Sequence, residues 1–156
     1  MQARQGDVFS AGYKPETFDV ITLSHVLEHV HDPARLITHC YTLLTPGGRL
    51  WLATPNPNSI GLHMLHQSWM PLHPPYHLVI LSQHALLDLL KQAGFCNPHM
   101  LRRGLQSKNL WHKSTQIAQR EGISISRAYS QLIRGVSELT ATLSTRWGRR
   151  NSHYRA

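Results

Sequence analysis

The stretch FDVITLSHVLEHVHDP, residues 18–33, decides the fold that the sequence predicts. Its first part, Phe18 to Leu23, is an apolar run with β-branched and aromatic residues, which is typical of a buried strand. The strand leads directly into HVLEHV, which places His25, Glu28 and His29 within about one turn of a predicted helix. Because ligands in α/β folds bind at the carboxyl ends of parallel strands, this turn is a candidate ligand site.

The residues that follow predict a helix and a second strand. Asp32 is a good N-cap, and Pro33 suits the first turn of a helix. Residues 34–44 carry apolar side chains at helical spacing, and TPGG at 45–48 ends the helix. A second apolar strand, RLWLAT, follows at 49–54. This succession of strand, helix and strand predicts a right-handed βαβ unit and therefore a parallel sheet.

The rest of the chain predicts mainly helices. Residues 59–77 form a long irregular segment with aromatic side chains, which serves as a lid or substrate wall or simply packs on the sheet. The other predicted elements are short helix 60–66, helix 83–93 with Ser82 as its cap, a weaker strand at 95–101, and helices 110–120 and 126–143. The final residues, RWGRRNSHYRA, predict no regular element.

Length and composition set the class of protein. The chain has 156 residues, of which 41% are hydrophobic, enough for one domain with a core. No apolar run approaches the roughly 18 residues that cross a membrane, and the N-terminal residues lack an apolar signal segment. The two cysteines, Cys40 and Cys96, make no disulfide or metal pattern, so a reduced, cytoplasmic setting is expected.

The charge is unusual, because the net value is +8 and the chain has 12 histidines. Most of the positive side chains lie in residues 101–156, which contain only Glu121 and Glu138 as acidic residues. A basic segment can bind nucleic acid or an anionic membrane. The sequence shows neither interleaved aromatic and basic residues nor a reading-helix motif, so we favour a solvated basic face over nucleic-acid binding.

Three blocks resemble class I S-adenosylmethionine-dependent methyltransferases, and most closely the ubiquinone-biosynthesis O-methyltransferases. They are FDVITLSHVLEHVHDP, LLTPGGRLWLATPN and PPYHLVILSQHALLDLLKQAGF, which occur in the family's order and at its spacing. The resemblance runs from about residue 6 to about residue 103. It implies a partial Rossmann-like, doubly wound α/β sheet in residues 1–104, with a basic, mostly helical extension in residues 105–156.

The resemblance also implies S-adenosylmethionine as cofactor, a small-molecule methyl acceptor, and a set of site residues. The cofactor would lie against Asp7 and Val8, which match the adenine-binding position of the family, and against Ser24 and His25 after the strand. His29 matches the histidine of the family's "EH" pair, and His77 matches a histidine of its later loop. These two are the implied catalytic residues, and no metal is expected.

The sequence departs from the family at its amino-terminal end. Close backbone approach to a cofactor needs glycines, yet no D-x-G-C-G-x-G motif is present and only six residues precede Asp7. Three further strands with their helices would need roughly 70 residues or more. We therefore expect a truncated enzyme with impaired activity, or alternatively a non-catalytic interaction module that dimerises through its exposed sheet edge.

A zinc peptidase is a further alternative. His25, Glu28 and His29 spell H-x-x-E-H, and on a helix the two histidines would share one face as metal ligands, with Glu28 as the base. Few acidic residues follow to supply a third ligand, and the flanking blocks belong to the methyltransferase pattern. The simplest interpretation is that Glu28 and His29 brace the helix that follows.

Overall fold

The computed structural model describes residues 5–102, 107–123 and 143–149, and these form a mixed α/β fold. The strands are β1 (Phe18–Ser24), β2 (Leu44–Ala53), β3 (Phe95–Arg102) and β4 (Leu143–Arg149). The α-helices are α1 (Pro33–Leu43), α2 (Ile60–Leu65), α3 (Gln83–Gln92) and α4 (Ser107–Arg120). Short 3₁₀ helices span Leu27–His29, His66–Ser68 and Met70–Leu72.

The four strands form one sheet in the order β1-β2-β4-β3. β1 and β2 are parallel and are joined through α1, which confirms the predicted βαβ unit. β4 runs antiparallel to both β2 and β3. Among the described residues, β1 therefore pairs on one side only, and the carboxyl ends of β1 and β2 lie side by side.

The position of β4 corrects the prediction for the end of the chain. We expected no regular element after residue 143, but Leu143–Arg149 lies between β2 and β3 as a strand. Local sequence carried little signal here, because a strand held by two neighbours is decided by tertiary pairing more than by propensity. The predicted helix at 126–143 otherwise lies outside the described residues, and the division at residue 104 stays a prediction.

The two amphipathic helices form where the sequence predicted them. The Asp32 carboxylate accepts a hydrogen bond from the Arg35 amide at 2.9 Å, which caps α1 at its start. Ser82 caps α3 in the same way, with its hydroxyl accepting from the Ala85 amide at 3.2 Å. The apolar stripes of both helices pack on the sheet, and the core they build contains the buried residues Leu27, Leu36, Ile37, Cys40, Leu44, Leu50, Leu52, Leu86, Leu90 and Phe95.

A second, smaller apolar cluster lies where α4 meets the segment after β2. Its buried members are Leu65, Trp69 and Trp111, and the two indole rings are 4.8 Å apart between centroids. Gly61 is required in α2 because a Cβ there would lie 2.3 Å from the Trp69 ring. The long segment after β2 is thus held by α4, at least as far as Leu72. None of the helices in the described part of the chain is long and apolar enough to span a bilayer.

Replacing Leu50 by Ala should lower the free energy of unfolding by about 2–5 kcal/mol. Leu50 is fully buried in β2, and the truncation removes apolar contacts and leaves a cavity in the main core. Urea unfolding followed by circular dichroism measures the loss. Leu78→Ala is the matched control, because Leu78 is 49% exposed and its truncation should change stability by about 0.5 kcal/mol or less. Equal losses in the two variants would contradict this core assignment.

Candidate active site

The turn after β1 differs from the predicted helix. His25 has a positive φ of 54°, and only Leu27–His29 form a short 3₁₀ helix. The His25 amide donates to the Ala53 carbonyl at 2.8 Å, which fastens the end of β1 to the end of β2. His25 and His29 therefore do not stand one helical turn apart on a common face, and the geometry expected for the zinc peptidase motif is wrong.

Glu28 is the buried centre of this turn, with a relative exposure of 1%. One carboxylate oxygen, Oε1, lies 3.1 Å from His25 Nδ1, and Oε2 accepts a hydrogen bond from Thr54 Oγ1 at 3.2 Å. The Glu28 carbonyl accepts from the amide of Leu78 at 2.7 Å and more weakly from that of Val79. This one residue thus joins the ends of β1 and β2 to the loop that precedes α3.

The structure brings His29 and His77 together, as the predicted site requires. Their ring centroids are 4.7 Å apart. His29 Nδ1 lies 2.9 Å from the Tyr76 carbonyl oxygen, and His77 Nδ1 lies 2.7 Å from the Pro71 carbonyl oxygen. Since a carbonyl only accepts, both Nδ1 atoms carry the proton, and both Nε2 atoms are left as bases or ligands.

The same two histidines form a candidate metal site with Glu28. One ligand atom from each of Glu28, His29 and His77 can be chosen so that all three lie within 4.8 Å of one another. The carbonyl contacts of the two Nδ1 atoms would orient the rings for binding through Nε2. Two imidazoles and one carboxylate suit Zn²⁺ or a similar transition metal better than Mg²⁺. The residue spacing of the sequence did not predict this group of three residues, because His77 comes from a distant loop.

A largely apolar cavity of about 730 Å³ opens beside β1. Asp7 and Val8 line it together with side chains of β1 and α1, while Ser24 and His25 are not among its lining residues. The Asp7 carboxylate accepts a hydrogen bond from the Phe9 amide, which holds the segment in a tight turn. A cavity of this volume is within the range that takes a nucleoside-sized ligand. His29 also lines the cavity, which therefore adjoins the pair formed by His29 and His77.

The pKa of His77 is lowered from its ordinary value of 6.5. Desolvation by burial is the main cause, and the nearby rings of His29 and His73 add to it. The hydrogen bond to the Pro71 carbonyl and the charge of Glu28 act in the opposite direction. His77 is therefore a neutral imidazole near pH 7, as a base or metal ligand must be.

Comparison with known proteins identifies the family. A family model described as a methyltransferase domain matches residues 1–99. A ubiquinone biosynthesis O-methyltransferase of Azotobacter vinelandii is 32% identical over 110 residues, which are 69% of this chain and 40% of that protein. Its counterpart in Stutzerimonas stutzeri is 50% identical over 48 residues, or 31% of this chain and 21% of that protein. The chain thus spans two fifths or less of the length of these curated relatives.

The fold agrees with this family. A solved S-adenosylmethionine-dependent methyltransferase of Thermotoga maritima, described as a possible histamine N-methyltransferase, superposes with a TM-score of 0.58 at 18% identity. The match covers 93% of this chain and 62% of that one, and it supports a Rossmann-like fold. The chain belongs to the methyltransferase-domain family, of the class I type that uses S-adenosylmethionine. The resemblance stated from the three sequence blocks is thereby confirmed.

The pKa of His77 should measure below 6.5 in an NMR titration. Removing Glu28 and removing His29 should shift this pKa in opposite directions. Glu28→Gln removes an attractive charge and should lower this pKa further, whereas His29→Gln removes a repulsive one and should raise it. Because the folded-state pKa lies below the unfolded one, the unfolded state binds more protons, and His77 makes stability fall as the pH drops below 6.5. A shift of the same sign in both variants would contradict this arrangement.

Proposed function

We propose that this chain carries part of an S-adenosylmethionine site and transfers the methyl group to a small-molecule acceptor. The observation that carries the proposal is the cavity beside β1, which adjoins the His29 and His77 pair. Methyl transfer needs mainly alignment of acceptor, methyl carbon and sulfur, with a base for the acceptor proton. An apolar cavity next to two imidazoles, one of which follows the carboxyl end of β1, suits both requirements.

The adenosine part of the cofactor is proposed to occupy the cavity. Asp7 would accept a hydrogen bond from the adenine amino group, and the amide of Val8 would meet the ring edge. Ser24 and His25, which end β1 and follow it, would pass beneath the methionine part. We propose weak binding, because the sequence has no glycine-rich motif to let the backbone approach the cofactor closely.

The acceptor is proposed to contact His29 and His77, whose Nε2 atoms are left open by the carbonyl contacts of Nδ1. We also propose a cytoplasmic location. No disulfide joins Cys40 to Cys96, and burial raises the pKa of the Cys40 thiol to about 11, so Cys40 serves the core.

Calorimetric titration with S-adenosylhomocysteine should show binding, and Asp7→Ala should weaken it by about tenfold, as expected for one lost charge-assisted hydrogen bond. Asp88→Ala is the matched control, because Asp88 lies on α3, away from the cavity lining. The absence of heat and of a thermal shift at millimolar ligand would contradict the proposal that this chain binds the cofactor. Equal effects of the two substitutions would remove Asp7 from the site.

The second candidate is a non-catalytic interaction module that forms a homodimer. β1 is an edge strand of the sheet that the described residues form, and its Val20 side chain is 59% exposed. Parallel strands are normally covered on both sides, and an apolar edge favours association. This candidate predicts one symmetric contact in which the β1 edges of two copies meet.

Light scattering after size exclusion should show a dimer that Val20→Lys converts to a monomer. A charge at this exposed edge position opposes strand pairing without touching the core. Leu101→Lys is a suitable control, since Leu101 is exposed on β3 at the other end of the sheet. A wild-type protein that stays monomeric at high concentration would rule out the dimer.

A further inference from the structure

His25 and Glu28 form a histidine–carboxylate pair whose geometry is that of a positioned base. The two side chains approach to 3.1 Å between Nδ1 and Oε1, with the carboxylate fully buried and the His25 side chain 51% exposed. Since an ionised carboxylate only accepts hydrogen bonds, the proton of the neutral ring lies on Nδ1. The Nε2 atom is then the basic nitrogen, on a side chain that half reaches solvent.

Thr54 fixes the carboxylate in this pair. Its hydroxyl donates to Glu28 Oε2 at 3.2 Å, and Thr54 itself is buried at the end of β2. Both carboxylate oxygens therefore have a partner on the strand ends that flank the site. A carboxylate held in this way orients an imidazole, selects its tautomer and stabilises the imidazolium formed when the ring takes a proton.

The backbone at His25 also restricts the ring. With φ at 54°, His25 occupies the left-handed region that side-chain-bearing residues rarely adopt, and its amide is held by the Ala53 carbonyl at 2.8 Å. Outliers of this kind persist only when the surroundings enforce them, and they are common at functional sites. The strained residue is thus the one that carries the exposed imidazole.

The chain contains a second pair for comparison. His84 and Asp88 approach to 2.9 Å on α3, but the two side chains are 89% and 41% exposed. That contact is an ordinary surface pair, which is worth little in water. His29 and His77 differ as well, because their Nδ1 atoms contact neutral carbonyl oxygens rather than a carboxylate. Among these histidines, only His25 combines a buried carboxylate partner with an accessible ring.

We propose that His25 is the base of the methyl transfer and that Glu28, held by Thr54, is its positioning residue; this rests on the proposed function. The acceptor, an O–H or N–H compound, attacks the methyl carbon of S-adenosylmethionine with its lone pair. The carbon–sulfur bond breaks, and its electrons go to sulfur, which leaves S-adenosylhomocysteine. His25 Nε2 takes the acceptor proton and later releases it to water, while His29 and His77 orient the acceptor.

The first test measures the ring itself and needs no turnover. Two-bond ¹H–¹⁵N NMR at pH 8 should show His25 with the proton on Nδ1. Glu28→Leu, which removes both acceptor oxygens, should abolish this preference. Acylation by diethyl pyrocarbonate can be located by mass spectrometry. The rate at His25 should be about 3 to 10 times higher in the wild-type protein than in the Glu28→Gln variant. The rate at His84 in the same samples is the internal control and should not change. A His25 tautomer that is unchanged by Glu28→Leu, or an acylation rate that is unchanged by Glu28→Gln, overturns the positioning role.

The second test measures methyl transfer, with catechol and histamine as probes for oxygen and nitrogen acceptors. His25→Gln should lower kcat about 100-fold or more with little change in KM for S-adenosylmethionine. Glu28→Gln should lower kcat by a smaller factor, again with little change in that KM. His84→Gln is the matched control and should keep the wild-type rate.

The outcomes separate the two proposals. Turnover that survives His25→Gln at the wild-type rate overturns the role of His25 and leaves the methyltransferase proposal standing. Turnover that is lost with EDTA, restored by Zn²⁺ and insensitive to His25→Gln assigns Glu28 to metal binding instead, which also overturns it. A wild-type protein that binds no S-adenosylhomocysteine and turns over neither probe defeats the proposed function and the base role together.

Discussion

The burial of one carboxylate organises the site of this protein. Glu28 lies in the interior, where an ionised group is costly unless each oxygen has a partner. Those partners come from separate places in the chain, His25 on the turn after β1 and Thr54 at the end of β2. The Glu28 carbonyl adds the loop before α3 through Leu78. Glu28 therefore links the two strand ends to this loop.

The side chain of His29 connects the cavity to the ring of His77. His29 lines the cavity on one side and packs its ring against His77 on the other. The apolar cavity thus ends at two imidazole rings. This arrangement agrees with the family to which the chain belongs, in which a cofactor and an acceptor must meet along one line.

Regular elements could be predicted from the sequence wherever one local signal decided them. The periodic apolar positions of α1 and α3 and the caps Asp32 and Ser82 all specified helices that the structure contains. The turn after β1 could not be predicted in this way, since the positive φ of His25 depends on its contact with Ala53 across two strands. β4 was missed for the same reason, because its neighbours are far away in the chain.

The candidate site, too, could be predicted from the sequence only in part. Asp7 and Val8 were assigned to the cofactor through resemblance, and they line the cavity, but their contact with a cofactor stays a prediction. The sequence placed His25 and Glu28 close together on a predicted helix, but it predicted neither their hydrogen bond nor the contact of Glu28 with Thr54. The resemblance implied His29 and His77 as catalytic residues, but it did not predict that a loop brings His77 close enough to Glu28 and His29 to form a candidate metal site.

The place of β4 in the sheet also bears on how the protein is made. β2 and β3 do not pair with each other, because Leu143–Arg149 stands between them. A chain emerging from the ribosome would have its βαβ unit complete long before the strand that joins β3 to it. Until then, apolar strand edges lie open to other chains. The nascent protein would therefore depend on rapid completion or on a chaperone, more than a protein whose strands pair in chain order.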